Sequence, residues 1–162
     1  MSMAFVGTEI LILGYLAHLD YWNLRIPNRG IFSLLALWVA QLYWVPNPLW
    51  YQDLIAATVL FMVGLAFWRW RKINASEVKL LLVAGLILGV IGTIIFASSL
   101  PIILTLQRLF LLTWKRHASG HHPFWRRLRI LVSKGRVPAG PAIALAAIIG
   151  LIGSQLILIT AL

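Results

Sequence analysis

The chain has 162 residues, of which 61% are apolar or aromatic and only 11% are charged, whereas an ordinary soluble domain carries about 25% charged residues. Too few polar side chains exist to clothe a water-facing surface, so a soluble globular fold is excluded and the chain reads as a membrane protein. Fourteen Lys and Arg against four acids give a net charge of +10, but the basic residues fall between long apolar runs, which argues against nucleic acid and for anionic lipid as the partner. The absence of cysteine excludes a disulfide framework, a thiol nucleophile and a thiolate-held metal.

A hydrocarbon core about 30 Å thick takes roughly 17 to 25 helical residues. Six stretches suit it: residues 2–19, 27–45, 54–70, 78–97, 100–114 and 137–162. The predicted fold is all-α, a single polytopic transmembrane domain over residues 1–162 with about six membrane-spanning helices. The first stretch has no basic n-region and no small-residue exit, so it reads as a retained span and not as a removable signal. The fifth is short, and Ser98-Ser99-Leu100-Pro101 predicts a tight turn before it, leaving a full or a re-entrant segment open. Gly85, Gly89 and Gly92, and Gly140, Ala144, Gly150 and Gly153, recur at near-helical spacing and read as packing faces. Trp22, Trp38, Trp44, Trp50, Trp68, Trp70, Trp114 and Trp125 lie at the expected interfaces.

The largest polar stretch, residues 115–136, is a basic loop before the last helix. Phe124-Trp125-Arg126-Arg127-Leu128-Arg129-Ile130-Leu131-Val132 suits a short amphipathic helix on the inner leaflet. His117, His121 and His122 have no acidic or cysteine companion, so the loop reads as solvated and no metal site is assigned. All fourteen Lys and Arg lie in or beside three loops, near 20–29, 69–79 and 115–136, with Arg108 toward the end of the fifth stretch, and none lies in 46–53 or 98–99. Positive charge is retained in the cytosol, so the three basic loops are expected there and both termini outside.

Four carboxylates limit the search for chemistry. With two crossings between them, Asp20 and Glu77 return to the same cytoplasmic face, whereas Asp53 lies across the membrane and Glu9 in the outer half of the first span. Two carboxyl groups brought together share a proton because both cannot ionise cheaply at close range. One can then activate water while the other polarises a peptide carbonyl. No H-E-x-x-H, G-x-S-x-G or G-x-x-x-x-G-K-[ST] occurs, so the metal-dependent, serine and nucleotide-hydrolysing designs have no visible site. A plainer reading stands beside the dyad. Asp20 is an interfacial acid kept solvated by Asn23 and Arg25, and in Asn74-Ala75-Ser76-Glu77 the glutamate caps the helix that follows. A transporter is disfavoured because, apart from Glu9 and Arg108, the span interiors carry no charge.

The segment Asp20-Tyr21-Trp22-Asn23-Leu24-Arg25-Ile26-Pro27-Asn28 resembles the first aspartate motif of the type IV prepilin peptidases, an Asp followed six residues later by Ile-Pro-Asn. Glu77-Val78-Lys79-Leu80, running on to Gly85 and Gly89, is similar to their second motif, and Val137-Pro138-Ala139-Gly140-Pro141-Ala142-Ile143-Ala144 to the entry of their last helix. Where the family has Gly-x-Gly-Asp, this chain has Asn74-Ala75-Ser76-Glu77, which keeps the carboxyl group and lengthens its reach by one methylene. The resemblance, closest to the short forms of tight-adherence pilus systems, implies a cofactor-free aspartic endopeptidase of the bacterial inner membrane. It would remove the basic leader from prepilin-like subunits at the cytoplasmic face. Asp20 and Glu77 would be catalytic, and Lys79 would tune the pair or bind substrate, unless it is one more positive-inside charge. The altered second motif motivates the alternative, a catalytically degenerate member acting as a pilin assembly or chaperone factor.

Overall fold

The computed structural model describes residues 3–23, 26–44, 49–115 and 139–160, and among these every regular element is a helix. Apolar stretches of this kind form helices because only internal hydrogen bonds satisfy the backbone away from water. They are α1 (Met3–Asn23), α2 (Asn28–Trp44), α3 (Trp50–Arg69), α4 (Ala75–Lys115) and α5 (Gly140–Thr160). The His117, His121 and His122 cluster, the expected amphipathic stretch and the approach to α5 at Val137 and Pro138 lie outside the described residues.

The expectation of six spans is corrected. Among the described residues, three helical segments are long and apolar enough to cross a membrane: Trp50–Arg69, Ala75–Phe110 and Gly140–Ile157. α2, at 17 residues, sits at the lower limit of the spanning length range, while α1 carries Glu9, His18 and Asp20 along its length. No turn separates the fourth and fifth predicted spans. The turn expected at Ser98-Ser99-Leu100-Pro101 stays helical, with the Ser98 and Ser99 hydroxyls donating to the carbonyls of Ile95 and Phe96. The interruption lies earlier, at Gly89, whose φ of 61° and ψ of −171° leave the helical region. That conformation is essentially reserved for glycine.

One end of the bundle gathers most of the helix termini. The α1 residue Asp20 meets Gly140 at the start of α5, Gly30 in the first turn of α2 abuts Leu16 of α1, and Gly64 late in α3 abuts Val78 and Leu81 early in α4. α1 and α3 therefore run toward this end, and α2, α4 and α5 run away from it. Small residues set the closest approaches: a Cβ on Gly85 would lie 2.8 Å from the Ala57 backbone nitrogen, and one on Gly150 would lie 2.7 Å from the Gly92 carbonyl oxygen. The packing-face reading thus holds for Gly85, Gly92, Gly150 and Gly153, whereas Gly89 breaks its helix and Gly140 faces Asp20.

The core joins Leu13 and Leu16 of α1, Leu34 of α2, Leu60 of α3, Leu80, Ile87 and Phe96 of α4, and Ile143 and Leu151 of α5. The outer surface exposes large aliphatic side chains such as Leu11, Ile55, Met62, Ile94 and Leu156, a surface made for lipid and not for water. Exposed tryptophans bracket it, with Trp22, Trp68 and Trp70 at the end that holds Asp20 and Trp44 and Trp50 at the other, as interfacial rings do.

Candidate carboxyl-pair site

The buried stripe of α1 is Val6, Glu9, Leu13, Leu16 and Asp20, a 3-4-3-4 spacing that keeps one face of a helix toward its neighbours. Both acids of α1 therefore point inward together with its leucines. Asp20 lies near the C-terminal end of that stripe and is fully buried. Glu77 is the third residue of α4, ahead of the apolar run beginning at Val78, and is 1% exposed.

The turn before α4 is shaped by how α3 stops. The Arg71 N–H reaches the Trp68 carbonyl and the Lys72 N–H reaches back to Phe67, while Arg71 takes a φ of 56°. This is a Schellman-type end with arginine where glycine is usual. Two residues beyond Lys72, the Asn74 N–H donates to Glu77 Oε2 at 2.7 Å. The capping reading of Glu77 is therefore realised, but it uses only one of the two carboxyl oxygens.

The other oxygen completes the site. Glu77 Oε1 accepts the N–H of Ala139 at 3.0 Å, and Asp20 Oδ2 accepts the N–H of Gly140 at 3.0 Å. Two carboxyl groups 57 positions apart in sequence are thus bound by consecutive amides, whose nitrogens sit roughly 3 to 4 Å from each other along the chain. The two acids are close enough for their charges to interact. These donors are available because the first N–H groups of a helix have no partner inside it, and the positive end of the α5 dipole favours acceptors bearing negative charge. Burial pushes the Asp20 carboxyl above its ordinary value, against the smaller opposite pull of the Gly140 N–H. Asp20 Oδ1 is buried and has no hydrogen-bond partner among the described residues.

The remaining sequence candidates fall elsewhere. Lys79 is exposed and its Nζ donates to Asn28 Oδ1 at 3.2 Å, tying the start of α4 to the start of α2. Asp53 lies toward the other end of α3, with Oδ1 3.1 Å from where a Cβ on Gly89 would project. Glu9 is fully buried; it accepts a hydrogen bond from Gln41 Nε2 of α2, while its Oε2 has no partner among the described residues.

Sequence reasoning missed three partners, Gln41 and the amides of Ala139 and Gly140. Gln41 was detectable as an amide within an apolar helix, where polar side chains seek one another across helices. The Ala139 and Gly140 amides carry no side-chain signal. The juxtaposition of Gly140 with Pro141 marks a helix start but does not say which acids it faces. The chain matches no family model, no curated protein and no solved structure.

Proposed function

We propose that the chain is an integral membrane aspartyl endopeptidase that removes the basic leader from prepilin-like subunits at the cytoplasmic face of the bacterial inner membrane. The observation that carries this reading is the convergence of Asp20 and Glu77, buried, on neighbouring amides of α5. A pair so placed holds one proton, because two ionised carboxylates in a poorly solvated site repel strongly. Glu77 accepts two backbone N–H bonds and Asp20 one, so the negative charge rests on Glu77. Glu77 then takes a proton from water, and Asp20 donates its own to the scissile carbonyl oxygen as the hydroxide adds. Collapse of the tetrahedral adduct expels the amine, which leaves with the proton that Glu77 took up, while the gem-diol proton returns to Asp20. The oxygen left for water and peptide in this reading is Asp20 Oδ1, which is buried and which no described residue satisfies.

In this reading the end that bears the pair faces the cytosol and both chain termini lie outside, in keeping with α1 running toward that end and α5 away from it. Anionic lipids would then meet the basic loops, and Lys79 at the rim is the candidate contact for substrate. The test is cleavage of prepilin-like peptides by the purified chain in lipid nanodiscs. Asp20→Asn and Glu77→Gln should each lower kcat/KM by about a thousandfold or more, and undiminished cleavage by either overturns the dyad.

A second reading is favoured by a different feature of the same bonds: each carboxyl already has a structural task, Glu77 capping α4 and both acids tying the start of α5 to its neighbours. A non-catalytic assembly factor for pilin-like helices would keep those bonds with amides in place of acids. Restored pilus assembly by the Asp20→Asn/Glu77→Gln double variant in cells lacking the native protein would select it over the peptidase.

A further inference from the structure

We infer that the first turn of α5 is the positioning element of the carboxyl pair, with Gly140 the positioning residue for Asp20; this rests on the peptidase reading for its catalytic consequence. Consecutive amides hold one oxygen of each acid at 3.0 Å, so the spacing of the two carboxyls is set by the rigid geometry of one dipeptide and not by the rotamers of two side chains on separate helices. Asp20 has no other hydrogen bond to settle its carboxyl plane, since Oδ1 is unpartnered among the described residues. The approach also needs residue 140 to lack a side chain. A Cβ there would overlap the Asp20 carboxyl, lying 2.6 Å from its Cγ.

That overlap differs in kind from the other tight glycine contacts of α5. At Gly153 an added Cβ meets the flexible end of Ile95, with Cδ1 at 2.9 Å, and the neighbour can turn away. At Gly140 the obstacle is the reacting group itself. Any side chain at residue 140 must rotate Asp20 off its amide or push the start of α5 outward, and either motion separates the pair while the rest of the helix keeps its packing against α4.

The experiment compares Gly140→Ala with Gly153→Ala in the full chain in nanodiscs. Gly140→Ala should lower kcat at least about tenfold with KM little changed and move the acidic limb of the pH–rate profile, because the environment that sets the shared proton has changed. Gly153→Ala should leave kcat, KM and that limb as in wild type. If Gly140 serves packing alone, its variant loses folded protein but the surviving fraction keeps the wild-type limb, and that result overturns the inference. Amide hydrogen exchange supplies a readout independent of cleavage. The amide of residue 140 should exchange at least about tenfold faster in Asp20→Ala, and that of residue 139 in Glu77→Ala, than in wild type. Unchanged exchange in both overturns the positioning role even if peptides are cleaved; faster exchange in a chain that cleaves nothing upholds the positioning and rejects the peptidase.

Discussion

At the scale of single residues, burial of charge is the costliest feature of this chain. Asp20, Glu77 and Glu9 are each at most 1% exposed, in a protein with only four acids, and an unpaired buried carboxylate costs several kcal/mol. For Asp20 the sign follows from its raised value: the folded state keeps the proton over a range where the unfolded chain has released it. Stability contributed by the neutral acid is therefore present at low pH and lost as pH rises through the unfolded and then the folded titration. Asn retains an oxygen for the Gly140 N–H and never ionises. The thermal midpoint of Asp20→Asn should consequently exceed that of wild type by a margin that widens as pH rises above about 4; a margin constant with pH would contradict the assignment. The same substitution abolishes cleavage in the peptidase reading, a trade of stability against activity at one atom.

At the scale of elements, α4 carries the most consequential local feature. A straight helix of its 41 residues would run about 60 Å, roughly twice the hydrocarbon core. The break at Gly89 divides it into an arm that packs on α3 through Gly85 and an arm that packs on α5 through Gly92. The φ and ψ of Gly89 are closed to L side chains at a cost of about 1–3 kcal/mol, and an added Cβ would also crowd Asp53. Gly89→Ala should lower the thermal midpoint accordingly. Gly7→Ala is the matched control: its Cβ would meet nothing within 4 Å on an exposed turn of α1, where replacing glycine gains about 0.5–1 kcal/mol. Equal effects of the two substitutions would show that the break is not strained for alanine.

At the scale of the whole molecule, the two ends of the bundle differ in chemistry. One carries the carboxyl pair, Lys79, and the α3–α4 turn with Arg71 and Lys72; the other carries Trp44 and Trp50. Absence of native cysteine makes this asymmetry directly measurable by single substitutions. Cysteine at exposed Lys72 should react with a membrane-impermeant maleimide only after the inner face is opened, and cysteine at Trp50 should react in intact spheroplasts. The reverse pattern would invert the orientation and remove the cytoplasmic site from the proposal.

Part of this was legible in the chain itself. Composition and apolar run length decide that the protein is helical and lipid-facing, because backbone groups in hydrocarbon must bond within their own segment. The scarcity of acids leaves Asp20 and Glu77 as the two able to meet, and their positions at opposite ends of an even number of helical segments return them to one end. The number of spans was not legible: hydropathy records where a chain is apolar, but not that helix continues through Pro101 and breaks at Gly89, which depends on packing against α3 and α5. The amides of Ala139 and Gly140 were equally hidden, since backbone donors are identical at every residue but proline. Only the tertiary arrangement, by bringing the start of α5 against two other helices, selects which two of them hold the acids.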